Sequence, residues 1–421
     1  MTYTAPRGTR DILSKECRQW QFIEHTARVL LEDCGFEEIK TPIFEHTDLF
    51  ARGIGSLTDI VEKEMYTFQD KKGRSLTLRP EGTASIVRAY LENNLSRKGI
   101  QKLYYHGAMF RYERPQAGRY RQFEQIGVEV IGSKEPVVDA EVMALGVKIC
   151  EKLGIGGLKI AINSVGCTVC RPVIREQLKS FIVSSLKFLC EDCQRRYEMN
   201  PLRILDCKNP QCQKYFSALP STVSVLCHEC ADHFSSTLEY LDSAGISYHV
   251  DAFLVRGLDY YTKTVFEIRS DQLGAHNSIC GGGRYDELIQ ELGGRKTPAF
   301  GFAFGVERVA MVMAQQPSAV SFAPPPMMVY LAVIGEPAKR KAFSWLTQLC
   351  TAGIRVEMDL EGRSLKSQLK YASEHKIKYV CILGEDELEQ GVCQLKNMEE
   401  GTQETIPLEG VLEEIKKRSR L

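Results

Sequence analysis

The stretch Phe110-Arg111-Tyr112-Glu113-Arg114-Pro115-Gln116-Ala117-Gly118-Arg119-Tyr120-Arg121 runs on into Gln122-Phe123-Glu124-Gln125-Ile126-Gly127. Lys102 to Tyr112 reads as a strand, Phe123 to Gly132 reads as another, and the polar segment from Glu113 to Arg121 reads as the exposed loop of a long hairpin. Between 101 and 123 there are five basic residues (Lys102, Arg111, Arg114, Arg119, Arg121) against one acid, Glu113. The guanidinium fork matches phosphate oxygens in pairs. An arginine at a strand end followed by a basic loop therefore suits a nucleoside triphosphate or an RNA end. A solvated hairpin tip accounts for the same charges without a ligand.

Working outward, Trp20–Glu32 and Thr83–Leu95 carry apolar residues at helical spacing, so residues 1–163 mix helices and strands. The composition then changes, because residues 164–240 hold eight of the 15 cysteines. Within that segment Pro172 to Leu189 reads as a helix, with Ile174, Leu178, Phe181, Ile182, Leu186 and Leu189 on one face. Strand-and-turn character returns past 245, from Leu254 to Ile268 and at glycines 281–283. The segment 164–240 thus reads as a mainly helical insertion dividing one catalytic domain into 1–163 and 241–317. Residues 318–326 include Ala323-Pro324-Pro325-Pro326 and read as a stiff linker. In 327–421 strands (Met328–Ile334, Ile354–Met358, Ile377–Leu383) alternate with helices (Ala338–Cys350, Ser364–Glu374, Leu408–Lys417). That order predicts a small α/β domain with a mostly parallel sheet, and an α+β chain as a whole.

Composition narrows the function. The 421 residues are 43% hydrophobic and 26% charged, with 54 basic and 54 acidic side chains. This excludes collagen-like and largely disordered chains, and a protein that coats nucleic acid by bulk charge. The start, MTYTAPRGTR, has no apolar run of a secretory leader, and no stretch approaches the ~20 apolar residues of a membrane span. A cytoplasmic location is expected. In a reducing compartment cysteine grouping matters more than disulfide parity.

Three further segments carry chemistry. Leu254-Val255-Arg256-Gly257-Leu258-Asp259-Tyr260-Tyr261 places a cation, an acid and two phenols together after an apolar lead-in. Ala299-Phe300-Gly301-Phe302-Ala303-Phe304-Gly305-Val306-Glu307-Arg308 alternates small residues with Phe, then opens a helix. Arg308 would lie in its first turn, where an anion such as phosphate offsets the positive helix end. Cys280-Gly281-Gly282-Gly283-Arg284-Tyr285 reads as a glycine-rich turn against which a ring or an amino acid can lie. It lacks the Gly-Lys-Ser/Thr ending of a P-loop.

Taken together, these segments resemble the histidyl-tRNA synthetases, class II aminoacyl-tRNA synthetases. Pro6-Arg7-Gly8-Thr9-Arg10-Asp11 looks like the N-terminal signature of that family, and Thr41-Pro42 like its motif 1. Phe110–Gly127 resembles motif 2 and Gly301–Arg308 motif 3. Leu254–Tyr261 and Cys280–Tyr285 resemble the two histidine-specific signatures. The resemblance implies an antiparallel-sheet catalytic domain, an inserted helical domain, a C-terminal anticodon-binding domain and a homodimer. It implies histidine–tRNA ligase activity: histidine and ATP give histidyl-adenylate, and the histidyl group then passes to the terminal adenosine of its tRNA.

By the same resemblance Arg111 holds the α-phosphate, Arg308 the γ-phosphate end, and Arg256 sits near the carboxylate and α-phosphate. Arg111, Arg119 and Arg308 bind ATP, with Mg²⁺ bridging its outer phosphates. Glu81, Thr83 and Gln125 grip the α-ammonium of histidine. Glu129 and Tyr261, with Tyr260 beside them, read its imidazole, and Arg111 and Arg256 complete the histidine site. Glu124 stands where many members of the family have His, and strand alternation turns it away from Gln125. The alternative reading is the non-catalytic regulatory subunit of ATP phosphoribosyltransferase. Such paralogues tend to lose the motif arginines and typically lack the C-terminal domain.

The cysteines of the insertion form four close pairs: Cys167/Cys170, Cys190/Cys193, Cys207/Cys212 and Cys227/Cys230. Two pairs suffice for one tetrahedral Zn²⁺ and four allow two, with His228 and His233 as spare ligands. Small buried hydrophobes are the plain alternative. Residues 327–421 carry 14 basic and 15 acidic side chains, a net of −1, so their anticodon role rests on the resemblance alone. There Leu365, Leu369 and Ala372 are expected in the core, and Arg363, Lys366 and Lys370 in water.

Overall fold

The computed structural model describes residues 3–55, 58–116, 118–216, 219, 221–270, 278–316, 321–323, 325 and 327–419. In chain order the strands of the first part are β1 Glu37–Glu38, β2 Phe44–His46, β3 Tyr66–Gln69, β4 Ser75–Leu78, β5 Gln101–Phe110, β6 Gln122–Ile131, β7 Leu158–Ser164, β8 Tyr248–Val250, β9 Thr262–Ser270, β10 Ser278–Arg284 and β11 Ala299–Gly305. The expected hairpin is β5–β6, paired antiparallel from Gln101↔Ile131 to Phe110↔Gln122. It lies in an eight-stranded sheet of order β1-β5-β6-β11-β10-β9-β7-β8, while β2-β4-β3 form a small separate sheet. Only the outermost pairings, β1 with β5 and β7 with β8, are parallel.

Alternation along the strands gives the sheet two unlike faces. Ile126, Val128 and Val130 of β6 share one core with Phe266 and Ile268 of β9 and Phe300, Phe302 and Phe304 of β11. The rings of Phe266 and Phe300 stack with centroids 5.8 Å apart. Helices Pro136–Lys152, Val306–Met313 and Ser14–Asp33 bury residues into this core. A fully buried Phe contributes about 1.5–3 kcal/mol, so this face is the main source of cohesion. The odd-numbered residues of β6, Gln125, Gly127, Glu129 and Ile131, take the other face. A second core there joins Leu103, Tyr105 and Met109 of β5 to Ile86, Val87 and Tyr90 of helix Thr83–Glu92.

The segment Cys280–Tyr285, expected as a turn, is mostly strand: β10 spans Ser278–Arg284 and pairs on both sides. Its glycines make room, since a Cβ on Gly281 would lie 2.3 Å from the Arg256 guanidinium. Leu254–Tyr261 is an irregular approach to β9.

The cysteine-rich segment is helical as expected, but its first helix, Cys170–Ile182, stops before residue 189. Helices Glu191–Met199 and Pro210–Phe216 follow, joined by 3₁₀ turns. The core of this segment runs from Cys170 to Cys230. Helix His228–Ser243 then sends Phe234 and Leu241 into the main core, so part of the expected insertion belongs to the sheet's own layer. His233 on this helix hydrogen-bonds Asp139 Oδ2 at 2.8 Å and is therefore a packing residue, away from the cysteines. Exposed His228 pairs with Asp232 at 2.6 Å and joins no thiol group either.

Two compact units emerge, Met1–Phe322 and Ala323–Leu421, divided within the expected linker, of which residues 318–320, 324 and 326 lie outside the described residues. Strands β12 Val329–Val333, β13 Val356–Met358, β14 Tyr379–Leu383, β15 Val392–Asn397 and β16 Gln403–Pro407 form the second unit's sheet, ordered β13-β12-β14-β15-β16. Only β13-β12-β14 is parallel; β14–β15 and β15–β16 are antiparallel, correcting the mostly parallel expectation. The link from β15 to β16 is too short for a crossover helix, so the chain must turn straight back. Ala372 is buried, Leu365 and Leu369 pack beside it, and buried Gln368 holds both the N–H and the carbonyl of Val333, at 2.9 and 2.8 Å. Among the described residues no helix is long and apolar enough to cross a membrane.

One buried network ties sheet, helix layer and the return from the insertion together. Arg284 of β10 donates through Nε to Asp139 Oδ1 at 3.1 Å, and Asp139 also takes His233. Arg284 and Asp139 are both 0% exposed. Burial alone would push the Asp139 carboxyl up, but Arg284 and His233 outweigh it and hold it below the usual range. This stabilisation is present above the ordinary carboxylate range and is lost as pH falls through the depressed value. Asp139→Asn is expected to cost about 3–5 kcal/mol in urea unfolding at pH 7, because it leaves only Asp286, at 3.2 Å, to balance a buried guanidinium. A cost below about 1 kcal/mol would mean that the network is incidental.

Candidate active site

Glu129 lies in the middle of β6 and is 1% exposed. Its neighbour across the β6–β11 pairing is Gly301, where a Cβ would sit 1.9 Å from Glu129 Oε2. Its oxygens accept hydrogen bonds from Thr83 Oγ1 at 2.7 Å and from the Tyr285 hydroxyl. Burial pushes the carboxyl up to about 8, against the pull of those two donors. Around it stand Tyr105, Tyr260, Tyr261 and Tyr285, all buried. Tyr260 is 4.7 Å from Tyr261 and 5.7 Å from Tyr285, centroid to centroid. Desolvation holds all four phenols protonated. Tyr105 fills the space over Gly127, where a Cβ would approach its ring to 2.1 Å.

Glu81 completes this wall. It accepts from the backbone N–H of Thr83 at 2.7 Å and of Ala84 at 2.9 Å, at the start of helix Thr83–Glu92. Burial pushes its carboxyl up as well. The result is a buried cluster of neutral hydroxyls and poised carboxyls, polar where a sheet interior is normally aliphatic.

Beside it on the same sheet face opens a cleft of about 700 Å³, lined by Arg111, Arg119, Gln125, Arg256, Glu267, Gly281, Glu307 and Arg308 among others. Arg111 is oriented by Nε donating to Pro80 O at 2.8 Å. Arg119, on the loop, reaches Glu113 at 3.4 Å. Arg256 lies against Gly281 and is paired with Glu267, which also takes Arg269 at 3.1 Å. Arg308, in the first turn of helix Val306–Met313, donates to Ser278 O at 2.6 Å. Burial, and then Arg119, lowers its pKa. Cations gathered where burial already disfavours charge call for an anion. Gln125 Oε1 and Arg256 Nε are buried without a partner, as polar atoms waiting for a ligand are.

The structure thus gathers the ten expected histidine and ATP residues on one face of the sheet. Glu81, Thr83, Glu129, Tyr260 and Tyr261 belong to the buried cluster, and Arg111, Arg119, Gln125, Arg256 and Arg308 line the cleft. Glu124 points the other way, to His106 at 3.3 Å. Sequence reasoning gave no role to Tyr105, Tyr285 or Glu267. For Tyr105 the signal was the glycines, since Gly82 and Gly127 are small because its ring lies against them; Tyr285 and Glu267 left no such mark. The N-terminal signature lies along the basic loop, with Arg121 N–H donating to Gly8 O at 2.7 Å. The eight insertion cysteines fall into two groups of four, Cys167, Cys170, Cys227 and Cys230, and Cys190, Cys193, Cys207 and Cys212, either of which could hold a metal ion.

An antiparallel sheet with a long basic hairpin loop, and an arginine opening the helix after its central glycine-and-phenylalanine strand, defines the catalytic core of a class II aminoacyl-tRNA synthetase. The histidyl-tRNA synthetase family model matches residues 8–177 and 210–309, and an anticodon-binding domain model matches 328–418. The chain is 52% identical to the histidine–tRNA ligase of Desulforamulus reducens over 420 residues, covering 100% of both chains. It is 50% identical to that of Halothermothrix orenii, covering 99% of this chain and 100% of the other. The crystal structure of apo histidyl-tRNA synthetase from S. aureus superposes with a TM-score of 0.81 at 37% identity, covering 99% of this chain and 100% of that one. The chain belongs to the histidyl-tRNA synthetase family.

The raised pKa of Glu129 makes a pH prediction for the empty protein. Because its folded value exceeds the unfolded one, its contribution is fully present below about pH 4.5 and is lost as pH rises through about 8. Glu129→Gln should therefore raise Tm at pH 9 by roughly 3 °C or more, with a smaller gain at pH 6. A gain that does not change with pH would show that the carboxyl is not buried as described.

Proposed function

We propose that the chain is a histidine–tRNA ligase, which activates L-histidine with ATP and transfers it to the terminal adenosine of its tRNA. The observation that carries this is the junction of the Glu129 pocket with the arginine cleft on one sheet face. In this reading one imidazole nitrogen meets Glu129 and the other meets Tyr261, with Tyr260 packed alongside. Glu81, Thr83 and Gln125 hold the α-ammonium, whose charge favours ionised Glu81. A side chain lacking two ring nitrogens would leave buried polar groups unpaired, a loss of ~10⁴-fold or more in favourable cases.

The histidine carboxylate is the nucleophile. Its oxygen bonds to the α-phosphorus as the bond to the bridging oxygen breaks, and pyrophosphate leaves. Arg111 holds the α-phosphate and Arg308 the outer end, while Arg119 adds charge from the loop. Arg256 spans the carboxylate and α-phosphate and stabilises the charge that builds there. Mg²⁺ takes hard oxygen donors; Glu113 and Glu267 in the cleft walls would hold it, and its charge would offset that of the leaving group. In the second step a hydroxyl of the terminal adenosine attacks the histidyl carbonyl and AMP departs.

The second unit would read the anticodon, by hydrogen bonding and stacking on unpaired bases. The cysteine-rich segment, up to the start of helix His228–Ser243, is the insertion, and its thiols hold structural Zn²⁺. Two copies would pair near Thr41-Pro42, where Ile43, Phe44 and Phe68 are exposed. The setting is the cytoplasm. A regulatory paralogue would not need Arg111, Arg256 and Arg308 together in one cleft.

Arg256→Met is expected to lower kcat for adenylate formation about 10²–10³-fold in single-turnover assays, with the unfolding midpoint nearly unchanged. A loss of less than about threefold would remove Arg256 from the charge-stabilising role.

A further inference from the structure

Besides contacts to β7, through Thr222, and to Asp59 and Glu62, the cysteine-rich segment sends two arginines onto the loop 254–261. Arg171 donates to the main-chain oxygen of Tyr261. Arg171 follows Cys170 directly at the start of helix Cys170–Ile182. Arg203, 8% exposed, donates through Nη2 to Gly257 O at 3.0 Å and through Nε to Asp259 Oδ1 at 3.0 Å. Arg203 lies on the 3₁₀ turn Pro201–Asp206, whose next residue is Cys207. Each arginine is therefore rooted beside a cysteine group, and the loop they hold carries Arg256, Tyr260 and Tyr261.

The two groups have the geometry of closed tetrahedral sites. In each, the four Sγ atoms lie within 4.8 Å of one another. Cys167 is 3.8 Å from Cys170 and 3.9 Å from Cys227, and Cys190 is 3.9 Å from Cys207. Four thiolates at about 2.3 Å from a zinc ion stand about 3.8 Å apart. Backbone N–H groups already donate to sulfur, Cys227 to Cys170 at 3.1 Å and Cys190 to Cys212 at 3.2 Å, as outer partners of a thiolate site do. The segment has little else to hold it: of the 13 buried residues in its core, five are cysteines. So small a core needs a cross-link or a metal to fix its helices. The inner group joins the two ends of the segment, Cys167 and Cys170 just past β7, and Cys227 and Cys230 where helix His228–Ser243 begins.

We infer that zinc in these two groups sets the histidine affinity of the site: the ions fix Arg171 and Arg203, and these hold loop 254–261 in the form that binds histidine. This rests on the zinc and histidine readings above. Arg203 reaches the wall of the arginine cleft and Arg171 lies outside it, but the guanidinium of each is spent on the loop, on the Tyr261 carbonyl for Arg171 and on the Gly257 carbonyl and Asp259 for Arg203, so both are positioning residues.

The test uses the full-length protein, with metal content by mass spectrometry and histidine-dependent ATP–pyrophosphate exchange without tRNA. Active wild type should carry two zinc ions per chain, one for each cysteine group. Arg171→Met and Arg203→Met touch no sulfur and should keep both ions. Each should raise KM for histidine about 10-fold or more, with KM for ATP and kcat within about threefold. Arg171→Lys should recover part of the loss. Cys212→Ser should lose one ion and reproduce the Arg203→Met shift. Arginine variants with both ions and an unchanged KM for histidine would overturn the positioning role and leave zinc standing. Active wild type free of zinc, or holding another metal in its place, would overturn the zinc reading itself. If Cys212→Ser does not fold, the arginine variants decide the inference alone.

Discussion

A carboxyl group enclosed in the middle of a β-sheet is the constraint on which the rest of this structure depends. Glu129 has no water to solvate it, so its neighbours must supply hydrogen bonds and space. Thr83 and Tyr285 supply the bonds, and Gly301 supplies the space. The burial is tolerable because the opposite face of the same strands is apolar along Ile126, Val128 and Val130 and cements the sheet to its helices. A slip of one residue in β6 would drive Glu129 into the phenylalanines of that core and turn Val128 toward the pocket, so the register is fixed by both faces at once.

From that arrangement follows a division of labour across a few strands. The pocket around Glu129 is neutral, its phenols held protonated by desolvation. The adjoining cleft is rich in arginine, with Glu267 set between Arg256 and Arg269 to keep the guanidinium of Arg256 in place before any phosphate arrives. In the function proposed, the first compartment recognises a small polar ring and the second neutralises a phosphate chain. Their common wall is Gln125 and Arg256, whose unpartnered buried atoms mark where a carboxylate and an ammonium group would meet the two compartments.

Much of this was legible in the sequence because the strands obey simple alternation. The hairpin either side of the basic loop, and the Phe-and-Gly strand with its arginine-opened helix, read directly as elements. Cys280–Tyr285 did not, because three glycines have poor strand propensity and only the side chains of Arg256 and Tyr261 lying over them explain the choice. Tyr105 and Tyr285 escaped for a related reason, since the gap each fills is made by residues far along the chain. The pairing of Cys167 with Cys227 joins positions 60 apart, which spacing alone could not choose. In the second unit β15 and β16 were missed because β15 buries only Cys393, Leu395 and the polar Asn397, and four of the five residues of β16 are exposed.

The central question is whether the enclosed carboxyl and its tyrosines select histidine for activation. The most direct measurement is ATP–pyrophosphate exchange without tRNA, with each standard amino acid supplied in turn. Exchange driven by histidine alone is the result predicted. Exchange with a different amino acid, or none from folded protein that still binds histidine, would contradict it.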